Sequence, residues 1–550
     1  MNASKILTRP LLRANTVLLL AALFLVLAAN DRFWRVLLPL APAGIAGAGF
    51  MLSVGAVLLV LVLVLLVPLA FKPLLKPWLG FVLFAAAAAA YFMDNYGAVV
   101  DRFAIQSVAE TNLQEGGEWL SWKMPWTLLV LFALPLAALC WIRIDWQPFR
   151  RELWSRAKLV LAMALALGLV AGLAGRQLAS VVRNERSLGH LANPVAVLSA
   201  SMSYAHHLRG TVDAVAAPLG RDARREGGMA AGGRPVVFVL VVGESARAAS
   251  FSLGGYARDT NPELAGLPID YFRNVRSCGT DTAVSVPCMF SNLGRSNYKE
   301  SKAAASENVL DILSHAGYRV AWYDNNTGSK GVARRLDEHD DYHDQDPRFC
   351  GKGGCIDALL VDRLRTELGS KDDDRFIVLH TKGSHGPAYY QRYPDAFARF
   401  QPACATNELQ RCTRAQIVNA YDNTILYTDH VVASAIRALQ ADGGVDSALL
   451  YLSDHGESTG ESGLYLHGAP YLIAPESQTR IPMLLWISDG FRSRRGLDPA
   501  CIAARRDAPL SQDNLFDTLL GLLGVRTSAY RPALDAFAGC ATTTAAQPAH

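Results

Sequence analysis

Apolar residues are unevenly distributed along this chain. Five long apolar runs crowd its first third, at 11–29, 46–71, 78–93, 125–142 and 159–175. A helix needs about 20 such residues to cross the hydrocarbon core of a bilayer, so the pattern predicts five membrane-spanning helices. The run at 46–71 is ample, whereas the one at 78–93 is short and alanine-rich, which leaves its ends open. A buried helix in a soluble core could explain one run but not five in series. The first run is not expected to be a cleaved leader, because no small-residue cleavage site follows it and further spans do.

Beyond residue 235 the pattern changes. Buried-strand runs at 236–242, 318–323, 376–380, 448–452 and 481–487 are separated by helical stretches such as 306–316, 356–368 and 419–441. That alternation predicts an α/β domain with a largely parallel sheet. Ligands in such sheets collect at the carboxyl ends of the strands. Residues 177–235 read as a connector, with amphipathic pieces such as 195–207 and a glycine-rich stretch at 226–235. The expected organisation is a five-helix transmembrane domain over 1–176, a connector with interfacial helices over 177–235, and a catalytic α/β domain over 236–550.

Charge orients the spans. The N-terminal tail carries Lys5, Arg9 and Arg13, Lys72 and Lys76 lie in the second loop, and Arg143, Arg150, Arg151, Arg156 and Lys158 lie in the fourth. Basic short loops stay cytoplasmic. The third loop carries Glu110, Glu115 and Glu118 and is expected outside, as is everything beyond the fifth span. A mean hydropathy of +0.17 agrees with a chain that is part membrane. A net charge of +4, with no basic stripe beside aromatics, gives no case for a nucleic-acid binder. Of nine cysteines, Cys140 sits in a span and eight lie beyond the last one, in close pairs without the spacing of a metal knuckle. In an oxidising compartment such pairs read as disulfides.

Candidate chemistry sits at strand ends. The first strand runs into Glu244, a carboxylate placed to meet a metal or to start a helix. A later one runs into Asp454-His455, an oxygen and an imidazole nitrogen that together suit zinc. His385 and His467 occur in glycine-flanked polar loops, which favours phosphate or metal binding over a structural role. Thr282, between Cys278 and Cys288, precedes a helix-like run. Its hydroxyl is either an activated nucleophile at a helix start or a plain N-cap. A Cys278–Cys288 bridge would hold that loop rigid, which favours the active-site reading.

Taken together, the stretches GESARAASFSLGGYARDTNP, SCGTDTAVSVPCMFS, YDNNTGSKGV, KGSHGPAYYQRYP and YLSDHGESTGESGLYLHGAPY resemble the lipid A phosphoethanolamine transferases, which include the mobile colistin-resistance enzymes. The resemblance covers the whole chain. It implies a periplasmic domain of the alkaline phosphatase and sulfatase type, anchored in the bacterial inner membrane, and a monomer. It implies zinc held by Glu244, Thr282, Asp454 and His455, with Thr282 the nucleophile. His385 and His467 would hold the phosphoryl group, the leaving group or a further zinc, and Asn326 and Lys330 would meet substrate phosphate. Thr111 and Glu115 match the family's head-group stretch, where an expected Asn appears as Ser107. Bridges Cys278–Cys288, Cys350–Cys355 and Cys404–Cys412 match the family, and Cys501–Cys540 would be additional. The implied reaction moves phosphoethanolamine from phosphatidylethanolamine to lipid A and confers polymyxin resistance. Other readings are a different acceptor (core heptose, periplasmic glucan or a protein), a non-catalytic lipid-binding sensor, and a hydrolase. The intact ligand set argues against the sensor, and the absence of a C/S-x-P-x-R setting around Thr282 argues against a sulfatase.

Overall fold

The computed structural model describes residues 9–541, apart from 43, 112, 185–186, 212–215, 226–232, 352–353 and 371. It divides into two compact units, Met1–Ile105 with Leu120–Ala205, and Gln106–Trp119 with His206–His550. The short segment Gln106–Trp119 therefore belongs with the second unit, a membership that a linear division of the sequence does not contain.

The first unit is helical. Among the described residues, four helices are long and apolar enough to cross a membrane: Ile45–Leu69, Leu75–Tyr96, Lys123–Trp141 and Phe149–Gly175. The first expected span, over 11–29, corresponds to a bent pair of helices. Ala14–Ala28 is followed, after a break, by Asp31–Leu40 at an angle of 60°, so a fifth crossing exists only if this bent pair is one span. The break has a polar cause. Asn30 is buried, and its amide donates to Leu25 O at 2.9 Å and to Asn193 O at 2.7 Å, while Asn193 N–H donates to Asn30 Oδ1 at 2.9 Å. Leu25 O, which already accepts the Ala29 N–H at 3.1 Å, thus receives a second donor at the helix end. A phosphatase reporter joined after Gly175 should be active and one joined at Arg150 silent, because a basic short loop is expected to stay cytoplasmic. The reverse pattern would overturn this topology.

The second unit is built on an eight-stranded sheet. Its strands are β1 (Val236–Gly243), β2 (Ile269–Arg276), β3 (Arg319–Asp324), β4 (Asp337–Asp340), β5 (Arg375–His380), β6 (Asp446–Ser453), β7 (Arg480–Ile487) and β8 (Leu510–Ser511), in the spatial order β8-β2-β7-β6-β1-β5-β3-β4. The centre is parallel and β7 runs antiparallel to both β6 and β2. β1 reads VVFVLVVG and is buried at every position, as a central strand covered on both faces must be. Phe238 and Phe376 stack across β1 and β5 with ring centroids 5.5 Å apart. All four disulfides are formed, Cys278–Cys288, Cys350–Cys355, Cys404–Cys412 and Cys501–Cys540.

Candidate active site

Four adjacent parallel strands deliver their ends to one place. In the order β6-β1-β5-β3, register puts Ser453 opposite Gly243, His380 opposite Val242, and Asp324 opposite His380. The residues that close or follow each strand therefore converge: Asp454 and His455, Glu244, His380, and Asp324 with Asn326. Glu244, Asp454 and His455 are fully buried, and each can offer a ligand atom within 4.8 Å of the others.

The helix Thr282–Phe290 brings in the hydroxyl. Its N-cap is Asp281, whose carboxylate accepts the Val284 N–H at 3.0 Å. The N-cap alternative for Thr282 is thereby answered: Thr282 is the first helical residue and its side chain is free of capping. Its hydroxyl instead donates to Glu244 Oε2 at 2.9 Å and lies 3.4 Å from His455 Nε2. The remaining Glu244 oxygen accepts from the Ser245 hydroxyl at 2.6 Å. Asp454 Oδ1 accepts the backbone N–H groups of Ser245 and His455, at 3.0 and 2.6 Å. Asp454 Oδ2 is buried 3.1 Å from His455 Nε2 and has no hydrogen-bond partner. Burial, reinforced by the nearby Glu244 charge, pushes the Asp454 carboxyl well up. Burial also opposes ionisation of Glu244, but the field of His455, His385 and His467 outweighs it and holds that carboxyl low. An unpartnered buried carboxylate oxygen beside a second carboxylate, an imidazole and a hydroxyl is a donor set that fits a divalent cation, and the mixture of O and N suits zinc. The other cluster of this kind, Cys278, Cys288 and Asp513, has its two sulfurs bonded to each other.

The histidines flank this cluster. The ring of His467 lies 4.4 Å from that of His455 and 5.3 Å from that of His385, centroid to centroid. His467 Nδ1 pairs with Glu457 Oε2 at 2.8 Å, and although burial works against it, Glu457 raises the His467 pKa to about 9. Burial drives His385 the other way, well below its ordinary value. The His385 loop needs a glycine: Gly383 has φ +49°, and a Cβ there would fall 2.6 Å from Glu244 O.

Asn326 also reaches the site, and its amide is engaged with Glu244 Oε2 at 2.7 Å and Thr381 O at 3.1 Å. It therefore orients the carboxylate. Lys330 follows four residues later, partly buried and in left-handed backbone, φ 53°. Thr111 is partly buried, and its hydroxyl donates to Ser107 O at 2.5 Å. The side chain of Glu115 lies outside the described residues.

Several participants were not singled out from the sequence. His380, fully buried, bonds Asp324 Oδ2 through Nδ1 at 2.7 Å and faces Asn326 Nδ2 through Nε2 at 3.3 Å. Its position at the end of a buried strand was the available signal. Glu457 stands in the quoted DHGE stretch. Gln512 has no local signal at all. It accepts from Cys278 N–H at 2.6 Å and donates to the carbonyls of Ser453 and Asp454, at 2.8 and 2.7 Å, tying the Thr282 loop to the end of β6.

The chain is similar to known proteins along most of its length. Residues 237–525 match the sulfatase family model, and residues 58–208 match the model described as phosphoethanolamine transferase EptA/EptB. Phosphoethanolamine transferase EptA of Escherichia coli K12 is 40% identical over 540 residues, 98% of this chain and 98% of its own. Phosphatidylethanolamine transferase Mcr-1 of Escherichia coli is 35% identical over 529 residues, 92% of this chain and 94% of its own. Among solved structures, the integral membrane lipooligosaccharide phosphoethanolamine transferase A of Neisseria meningitidis superposes with a TM-score of 0.93 at 35% identity, covering 97% of this chain and 99% of that one.

Proposed function

The chain belongs to the phosphoethanolamine transferase family, and from that premise we propose that it moves phosphoethanolamine from phosphatidylethanolamine to a phosphate of lipid A through a covalent intermediate on Thr282. The observation that carries this reading is the Thr282 hydroxyl, released from capping by Asp281 and held 2.9 Å from Glu244 beside the unpartnered Asp454 oxygen. Names of relatives support the substrates: one is a phosphatidylethanolamine transferase and another acts on lipooligosaccharide.

Glu244, Thr282, Asp454 and His455 would hold zinc. When bound, the ion supplies Lewis-acid stabilisation of the charge on the transferred phosphoryl group and lowers the pKa of the hydroxyl. The chain's own residues do the rest. Glu244 Oε2 accepts the hydroxyl hydrogen bond and fixes the direction of Thr282 Oγ, and Asn326 holds Glu244 in turn. Thr282 Oγ passes its proton to Glu244 Oε2 and attacks phosphorus, the bond to the diacylglycerol oxygen breaks, and phosphoethanolamine stays on threonine. His467, whose Nδ1 pairs with Glu457 Oε2 at 2.8 Å, is placed to give a proton to the departing oxygen. A lipid A phosphate then gives its proton to His467 and attacks the same phosphorus; the bond to Thr282 Oγ breaks, and Thr282 takes back its proton from Glu244. Positioning accounts for much of the acceleration in such transfers.

The product carries an added amine, which lowers the negative charge of the outer surface and weakens its attraction for cationic peptides such as polymyxin. Mass spectrometry of lipid A from cells with and without the protein should show phosphoethanolamine added only when it is present, with higher polymyxin tolerance. Unmodified lipid A with phosphoethanolamine found instead on core sugar, glucan or protein would move the acceptor.

A further inference from the structure

Large exposed apolar side chains mark where a protein meets something other than water when they cluster in an otherwise polar surface. In the second unit they are confined to three of the described residues, Val108, Leu472 and Ile473, with Leu472 78% exposed. The last two stand side by side at the tip of the 468–475 loop. That tip is strapped to the segment that leads into Thr282. Gly468 N–H donates to Thr280 O at 2.7 Å, the Thr280 hydroxyl donates to Ala469 O at 2.6 Å, and the Tyr471 hydroxyl donates to Ser277 O at 2.9 Å. The exposed Arg295 lies over the Tyr471 ring at 4.0 Å. Arg276 and Arg480 stand at the base of the loop, both paired with Glu476, and Asp513 accepts the Arg295 backbone N–H at 2.8 Å.

Two aliphatic side chains beyond a tyrosine and a collar of arginines follow the polarity profile of a bilayer boundary: acyl chains, then the interfacial layer, then anionic phosphates. We propose that this tip is a docking surface for an anionic bilayer, with Leu472 and Ile473 entering the acyl boundary and Arg295 meeting lipid phosphates. The occupant is the bilayer itself rather than one substrate molecule. Docking here places the Thr282 loop at the depth where lipid head groups lie, which raises their effective concentration at the nucleophile. The inference rests on the proposed function only in that the donor is a membrane lipid.

Two measurements on the full-length protein, reconstituted in vesicles of phosphatidylethanolamine and phosphatidylglycerol, test it. The first is spin-label accessibility at Leu472→Cys in a Cys140→Ser background, which removes the free thiol. The label should be open to oxygen and shielded from a water-soluble nickel chelate, whereas one at Asp489→Cys, where the native side chain is 97% exposed, should show the opposite. Equal nickel access at both sites, or dipolar broadening that assigns the tip to a second copy of the chain, overturns the proposal. The second measurement is diacylglycerol release by Leu472→Asp combined with Ile473→Asp. Release from vesicle phosphatidylethanolamine should fall at least about ten-fold, while release from a short-chain donor dispersed as monomers stays within about two-fold. Equal loss with both donors means a structural role and overturns the docking. If the unaltered protein releases no diacylglycerol from either donor, the proposed reaction fails, and the spin-label result still decides the docking.

Discussion

Thr282→Ala should reduce phosphoethanolamine transfer by roughly a thousand-fold or more, because among the described residues no other hydroxyl is placed against Glu244 Oε2 and His455 Nε2 from a helix start. Stability should change little, since the helix keeps its cap. Asp281→Ala reverses the two effects: it removes the carboxylate that accepts the Val284 N–H and should cost about 0.5–2 kcal/mol, with the hydroxyl still in place. The pair of variants, measured for initial rate and melting temperature, separates a nucleophile from a structural threonine. A Thr282→Ala protein with rates near those of the parent would sink the proposed chemistry. Thr282→Ser keeps a hydroxyl and should retain measurable transfer.

The second large effect concerns the metal. Asp454→Asn should weaken zinc binding by at least about a hundred-fold and remove activity with it, read by metal content after dialysis and by transfer rate. Its effect on the metal-free protein should be small, unlike that of an ordinary lost salt bridge. Burial and the Glu244 charge oppose ionisation of Asp454, and its Oδ2 has no hydrogen-bond partner, so a neutral amide of nearly the same shape costs the metal-free protein little at this position. The metal-free variant is expected to melt close to the metal-free parent, and the zinc-loaded parent to melt above both. A variant that binds zinc as tightly as the parent would remove Asp454 from the ligand set.

What could be read in the sequence follows from where physical constraint is local. The strands over 236–242, 376–380 and 448–452 announce themselves because a parallel strand buried on both faces must be a continuous apolar run. Glu244 and Asp454-His455 follow from the same fact, since they are the first residues able to ligate a metal after such runs. The strands left out are those without that signature. β2 reads IDYFRNVR, with charged residues facing outward, β4 reads DEHD, and β8 is two residues long. Their place in the sheet comes from neighbours distant in the chain. The antiparallel direction of β7 is equally invisible in its composition. Thr282 was found, but its role relative to Asp281 was not, because both are good capping residues and only backbone geometry decides which one caps. Gln512 lies more than 200 residues from Cys278, the residue it anchors, and nothing in its surroundings marks it. The break at Asn30 was hidden for a related reason. One polar residue at the end of an apolar run looks like a loop until its buried partner Asn193 is seen.

The covalent step is open to direct observation. The full-length protein, loaded with zinc and given phosphatidylethanolamine without acceptor, should gain the mass of one phosphoethanolamine group. Peptide mapping should place it on Thr282, and adding lipid A should discharge it. Chelation beforehand, or Thr282→Ala, should leave the protein at its original mass. An adduct on another residue, or transfer that proceeds with no adduct at Thr282, would contradict the account.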